Sequence, residues 1–411
     1  MPEINCRYCN KPLKDLLISL GSMPLANSYL SKEQLAMDES FFPLEVYVCE
    51  DCFLVQVPAL ADYKSIFSDY AYFSSFSDTW LKHASDYAAK MIRYCGLDKR
   101  SYVVEIASND GYLLQYFSGK GIRVLGIEPA QNVAKVAVSK GIPTETVFFG
   151  TKTAKKMAGE GKYADLLIGN NVLAHVPDLN DFVSGLKIIL KPGGVITMEF
   201  PHLMKLIENT QFDTIYHEHF SYFSFFMAQD VFLSNGLKIF DVEEFSTHGG
   251  SLRIYAGHTE DGTKNVSDAV IKLRDREISL GYKDINYYLG FAKKVAKLKR
   301  DILALLNEIK AQGKTVVGYG APAKGNTLLN YCRITPDLIK YTVDRSPHKQ
   351  GHYLPGSHIS IEPVDMIKKT RPDYVFILPW NIKDEIMEQV GYIRDWGGRF
   401  IVPIPEPQIY S

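Results

Sequence analysis

TIYHEHFSYFS, residues 214 to 224, sets two histidines, a glutamate, two tyrosines and two serines in one short stretch. On a strand, the imidazoles of His217 and His219 would share one face with Glu218 opposite, whereas a helix would splay them apart. Such a set suits a metal, an acid/base centre or a polar loop, and histidine is the side chain whose ordinary pKa lies nearest neutrality. A second group has a narrower meaning. Cys6, Cys9, Cys49 and Cys52 form two C-x2-C pairs separated by 39 residues, and in a long chain with no secretory signal this spacing predicts thiolate metal ligands rather than disulfides. Four sulfurs complete a tetrahedral Zn²⁺ site with no position open to water or substrate, so the zinc is expected to be structural. The remaining pair, Cys95 and Cys332, reads as buried small apolar residues.

Acid/base residues need elements to hold them. A chain of 411 residues exceeds one ordinary core, and three domains are expected, over 1–66, 67–245 and 246–411. Lys and Arg number 46 against 47 Asp and Glu; this balance excludes a whole-chain basic field for nucleic acid or an anionic membrane. The start, MPEINCRYCNKPL, has no apolar signal region, and no uncharged apolar run is long enough to span a bilayer. The expectation is a soluble cytoplasmic protein acting on a small ligand, with a monomer compatible with the sequence.

The first 66 residues offer short strand-like pieces, FPLEVYVC and FLVQV, and too little apolar material to stand without a metal. A helical spacing of Trp80, Leu81, Ala84, Tyr87, Ala88 and Met91 follows. From 102 onward, YVVEIA, RVLGIEP, ADLLIGNNV and GGVITMEFP alternate with helical segments, the pattern of a parallel, doubly wound α/β sheet. The same pattern returns after the helix that stops at Gly313, with TVVGYGAPAKGNTLLN as strand, Gly-rich turn and helix start. Sheets of this kind bind ligands at the carboxyl ends of their strands.

At the first such end, VVEIASNDGYLL places Glu105 in the strand, Asn109 and Asp110 in the turn and Gly111 at the helix start. Glu128 comes 23 residues after Glu105, where a carboxylate can accept both hydroxyls of a ribose. With LKPGGVITME and NNVLAHVPD, this resembles the class I S-adenosylmethionine-dependent methyltransferases. The common turn E-x-G-x-G-x-G carries Ala107 and Asn109 in place of its first two glycines, and it lacks the G-x-G-x-x-G of a dinucleotide-binding sheet.

Taken in order, the paired C-x2-C module, E-I-A-S-N-D-G, Y-H-E-H-F-S-Y-F-S, H-G-G-S-L-R and G-Y-G-A-P-A-K-G-N-T are similar to the nucleotide-sugar C-methyltransferases of 4-keto-deoxysugars, along essentially the whole chain. That family's turn is itself poor in glycine. The resemblance implies a zinc module, a class I methyltransferase domain and a Rossmann-like C-terminal domain that binds the sugar nucleotide. It implies methyl transfer from S-adenosylmethionine to the carbon beside the 4-keto group of a dTDP-linked (or other NDP-linked) deoxysugar, most often C3. Carbon becomes nucleophilic only when its α proton is removed and the enolate is held, so a base and an oxyanion stabiliser are both needed.

Carried over by motif, His219 is the base, Tyr216 donates to the developing oxyanion, Glu218 orients neighbours or binds sugar, and His175 is a second active-site histidine. Tyr70 matches an active-site tyrosine, with Tyr72 two residues away, while His217 is assigned to packing. The donor side is Glu105, Ala107, Asn109, Gly111, Glu128, Asn170 and Asn171. Tyr319, Lys324 and Asn326 are expected on the sugar nucleotide, Lys324 as a point charge at a helix start that favours pyrophosphate. H-G-G-S-L-R is expected to join the two α/β domains. The competing readings are O- or N-methylation of a nucleotide sugar, and a zinc-ribbon nucleic-acid-binding protein with a degenerate methyltransferase fold.

Overall fold

The computed structural model describes residues 4–59, 74–76 and 78–411; Tyr70 and Tyr72 lie outside the described residues. Near the amino terminus, β1 (Asp15–Met23), β2 (Phe42–Val48) and β3 (Val55–Gln56) pair antiparallel. Their inward faces bury Leu17, Leu44, Val46 and Val48, a small core for three strands.

The next strands are β4 (Tyr102–Ile106), β5 (Arg123–Ile127), β6 (Thr144–Glu145), β7 (Ala164–Asn170) and β8 (Leu190–Pro201). They are mutually parallel. Both faces are covered, which is why they read as runs of Val, Ile and Leu instead of alternating. The helix Asp78–Tyr94 buries Trp80, Ala84, Tyr87, Ala88 and Met91, the stripe its spacing predicts except for Leu81, which is only partly buried. After β8 comes the two-residue β9 (Ser221–Tyr222), then β10 (Leu237–Phe245) and β11 (Ser251–His258).

The seven-stranded sheet runs β10-β11-β8-β7-β4-β5-β6, with β11 antiparallel to both neighbours. The sheet therefore continues past residue 245 to His258: β11 completes the hydrogen bonding of β8 across the expected domain boundary. A second departure concerns β9, which joins the amino-terminal sheet, in the order β1-β2-β3-β9. The small module thus gains its fourth strand from the histidine-rich segment.

The C-terminal sheet contains β12 (Val316–Tyr319), β13 (Thr342–Val343), β14 (Ile361–Glu362), β15 (Tyr374–Ile377), β16 (Arg399–Val402) and β17 (Gln408–Tyr410). Its order is β14-β13-β12-β15-β16-β17, and only β17 runs antiparallel. Gly313, at φ +69°, follows the helix Phe291–Ala311. In each α/β sheet the strand order reverses beside its first strand, between β4 and β7 and between β12 and β15, the places where such sheets hold ligands. Among the described residues no helix is long and apolar enough to cross a membrane.

Candidate active site

At the β4–β7 reversal, Ala107, Asn109, Gly111 and Asn171 all have left-handed backbone, with φ of +56°, +50°, +76° and +53°. The turn keeps the conformation that glycine usually supplies. Asparagine tolerates it, and alanine bears roughly 1–2 kcal/mol of strain. A Cβ on Gly111 would meet Ile142 at 3.0 Å. The turn is anchored by Glu128, whose Oε2 accepts the Asn109 N–H at 2.9 Å and whose Oε1 accepts the Ala130 N–H at 2.9 Å. Burial raises the Glu128 pKa to about 7.

Glu105 is completely buried, and neither carboxylate oxygen has a hydrogen bond of sound geometry among the described residues, although Tyr112 lies beside it. Desolvation first, then the charge of Glu128, holds its pKa well above the usual carboxylate range. Asp110, Asn170 and Asn171 each add a buried oxygen with no partner among the described residues. So many acceptors without donors suit a ligand that brings N–H and O–H groups and positive charge, as the ammonium, ribose and adenine of S-adenosylmethionine do. Glu105→Gln is expected to stabilise the ligand-free protein and to weaken S-adenosylmethionine about 10-fold or more, read by calorimetric titration; unchanged affinity would remove Glu105 from the donor site.

The segment 214–224 is neither strand nor helix where its histidines lie. A turn over 217–218, closed by the His219 N–H on the Tyr216 carbonyl at 2.9 Å, sends the two rings to different places. His217 Nε2 lies 3.2 Å from the carbonyls of Phe42 and Pro43 in the amino-terminal module. His219 turns inward. Its Nδ1 lies 2.9 Å from the Thr214 carbonyl; a carbonyl can only accept, so Nδ1 carries the proton and Nε2 holds the lone pair. The Tyr216 hydroxyl donates to that Nε2 at 2.7 Å. Desolvation, then the neighbouring His175, keeps the His219 pKa well below its ordinary value.

His175 stands edge-on to His219, with ring centroids 4.7 Å apart, and donates from Nδ1 to the Glu218 carbonyl at 2.8 Å. Burial lowers its pKa to about 4. Glu218 is buried as well, both oxygens accepting from Asn27 Nδ2 at 2.8 and 2.9 Å, and burial raises its pKa to about 7. His175, Tyr216, Glu218 and His219 thus come together, and the structure divides His219 from His217.

The three C-terminal candidates separate. Lys324 Nζ donates to Asn381 Oδ1 at 2.7 Å and lies 4.7 Å from the centroid of the Trp380 ring. Trp380 in turn donates to buried Asp213 at 2.6 Å. Desolvation lowers the Lys324 pKa, partly offset by Asp213. This ammonium is close enough to bear on both His219 and His248. Tyr319 instead donates to Gln389 at 2.8 Å and lines a cleft of about 460 Å³ with Asp78, Arg345, Val364, Gln389 and Val390. Asn326 is buried and bonds the Ala26 carbonyl, which ties the helix Ala323–Cys332 to the amino-terminal module.

Several neighbours escaped the sequence reading. His248 has left-handed backbone at φ +54°; its Nε2 accepts from Asn171 at 3.1 Å, and its ring is edge-on to Trp80. A Cβ on the adjacent Gly249 would come within 2.5 Å of Trp380, so the H-G-G turn wedges the donor side against the C-terminal domain. Buried Glu199 holds this turn, accepting from Thr247, His83 and Arg253. Asp344 was legible by the reasoning applied to Glu128. It lies just past β13, with Oδ2 on the Ala321 N–H at 2.7 Å and Oδ1 on the Ser346 N–H at 2.8 Å.

The four cysteines converge. Their sulfurs all lie within 4.8 Å of one another, with 3.6 Å between Cys6 and Cys52 and 3.5 Å between Cys9 and Cys49. Tetrahedral Zn–S bonds of about 2.3 Å put sulfurs about 3.8 Å apart, so the set fits Zn²⁺. Asn10 and Phe53, each following the second cysteine of its pair, are left-handed at φ +60° and +62° and donate N–H to the carbonyls of Cys6 and Cys49. Two equivalent knuckles form the site.

Family models match three stretches: "Putative zinc binding domain" over residues 6–67, "Methyltransferase domain" over 80–241 and "C-methyltransferase C-terminal domain" over 246–405. The chain is 36% identical to C-methyltransferase NovU of Streptomyces niveus over 410 residues, covering 100% of this chain and 97% of that protein. A ubiquinone biosynthesis O-methyltransferase of Bartonella tribocorum is 29% identical over 97 residues, 23% of this chain and 38% of its own length. Among solved structures, magnesium protoporphyrin IX methyltransferase from Synechocystis PCC 6803 with bound SAH is 15% identical, with a TM-score of 0.36, covering 47% of this chain and 99% of its own. Similarity to NovU over nearly the full length of both chains, with the three family models matched in order along this chain, means that the chain belongs to the S-adenosylmethionine-dependent C-methyltransferases.

Proposed function

We propose that the acceptor is a dTDP- or other NDP-linked 4-keto-deoxysugar, methylated at the carbon beside the ketone, C3. The observation that carries this reading is the repetition of one device. Glu128 accepts an N–H from the turn after β4 and another from two residues on; Asp344 does the same for the turn after β12. A carboxylate so placed is the ribose-reading position of a nucleotide-binding sheet. With the first cradle taken by the methyl donor, the second supports an acceptor that carries its own nucleoside. The cleft of Tyr319, Arg345 and Gln389 suits its base, and Lys324, at the start of the helix after β12, suits its pyrophosphate.

The sugar then meets the histidines. Neutral His219 takes the α proton on Nε2, and Tyr216, with His175 beside it, donates to the oxygen as charge develops there. Glu218 and Asn27 hold the ring. Bound S-adenosylmethionine supplies an electrophilic methyl group to the nucleophilic carbon. The test is turnover against a panel of dTDP- and UDP-linked 4-keto-deoxysugars, with solvent-deuterium exchange at the α carbon measured without methyl donor. Exchange and a C-methylated product are expected from at least one dTDP sugar. Absence of both across the panel, with S-adenosylmethionine bound, would refute the substrate class.

A further inference from the structure

We propose that Arg7, lodged between the first two zinc-knuckle cysteines, is a positioning residue that braces the loops carrying His175 and His219. The inference rests on the reading of His219 as the base, with His175 beside it. One guanidinium nitrogen of Arg7 donates to the Pro177 carbonyl at 3.1 Å, two residues beyond His175. The other donates to the Val57 carbonyl. Val57 in turn gives its N–H to the carbonyl of Phe220 at 3.0 Å, next to His219, and the guanidinium lies 5.3 Å from the centroid of the Phe220 ring.

The two histidine loops are also joined directly. The Phe220 N–H donates to the Ala174 carbonyl at 2.7 Å, and His175 Nδ1 donates to the Glu218 carbonyl. Arg7 closes the arrangement from outside, so its planar fork holds one loop by a carbonyl and the other through Val57 and the Phe220 ring. On its own side it is fixed to the knuckle: its N–H donates to Gln56 Oε1 at 2.9 Å, and Gln56 Nε2 donates to Cys6 Sγ at 3.1 Å. Among the described residues Arg7 has no carboxylate partner within ion-pair distance. Partly buried beside the Cys6 thiolate, with no carboxylate to pair with, this cation is bonded to two carbonyls of separate segments and so serves geometry; guanidinium alone among side chains presents donors in a rigid fork.

Arg7→Met and Arg7→Lys in the full chain test this. Zinc content and S-adenosylmethionine affinity should stay within about 2-fold of wild type, while kcat on a dTDP-4-keto-deoxysugar falls roughly 10- to 100-fold with KM little changed. Lysine, which reaches one carbonyl, should recover part of the loss. Ring-nitrogen NMR should show altered His175 and His219 signals in Arg7→Met. Wild-type kcat together with wild-type ring signals would overturn the proposal. So would loss of zinc from both variants, which would make Arg7 a stabiliser of the knuckle alone. If wild type fails to act on the sugar, the substrate reading is what has failed, and the ring signals still decide the role of Arg7.

Discussion

Replacing His219 with glutamine is expected to cut kcat about 10³-fold or more while leaving S-adenosylmethionine affinity nearly intact, because the residues proposed for the donor, Glu105, Glu128 and Asn109, belong to other strand ends. The expectation follows from the tautomer. The Thr214 carbonyl fixes the proton on Nδ1, so Nε2 is the nitrogen that can take another. Burial and His175 keep the ring neutral; the proposed base is therefore already in its working form at neutral pH. Its loss by protonation would come only well below the ordinary histidine range. Burial raises both Glu218 and Glu128 to about 7, so Glu218→Gln assigns a limb of the pH–rate profile near 7: it vanishes there if Glu218 carries it and persists if Glu128 does. Single-turnover rates with equilibrium titration of the donor check the main claim. Wild-type-like turnover of His219→Gln would end the base assignment.

Tyr216 refines the same expectation. Its hydroxyl rests on the nitrogen that must accept the proton. If the proton passes over the phenol oxygen, Tyr216→Phe should be as damaging as His219→Gln; if the phenol merely turns aside, the loss should be confined to oxyanion stabilisation, about 10²-fold.

Much of this site was readable before folding. Two C-x2-C pairs report a tetrahedral thiolate set because ligand spacing is local, and Glu105 and Glu128 follow from the regular alternation of strand and helix. Ala107 and Asn109 look like a broken glycine turn in sequence, yet their φ values of +56° and +50° show that the backbone kept the shape and accepted the strain. What stayed hidden is non-local. Nothing in SYFS announces that Ser221 and Tyr222 will pair with Gln56 and Val55, since a two-residue strand has no period to read. The division of His217 from His219 depends on a turn whose rings find partners 175 and 5 residues away. Asn326 reads as a ligand group because it sits in a Gly-rich turn motif; that its amide also bonds the Ala26 carbonyl could be known only once the amino-terminal module was docked.

That docking sets the second large expectation: stripping the metal, by chelation or by Cys49→Ser, should abolish methyl transfer even though four thiolates leave the metal no position open to a reacting group. Structural zinc contributes about 10–16 kcal/mol to the folding of small modules, and here the core of β1 to β3 is too slight to replace it. Loss of the knuckles frees β3, and β3 is what pairs with β9 directly after His219. It also releases Asn27 from Glu218, and Phe42 and Pro43 from His217. The base would remain in the chain but lose its placement, and misplacement of about 1 Å is enough for roughly a 100-fold loss. Donor affinity should change far less, because among the described residues Glu105 and Glu128 take no hydrogen bond from the zinc module. Circular dichroism, donor titration and turnover before and after removal distinguish the outcomes, and readdition of Zn²⁺ should restore rate and β-sheet signal together. Full activity in verified metal-free protein would show that the amino-terminal sheet holds the histidine segment without its thiolate site, and the coupling between zinc and base would have to be abandoned.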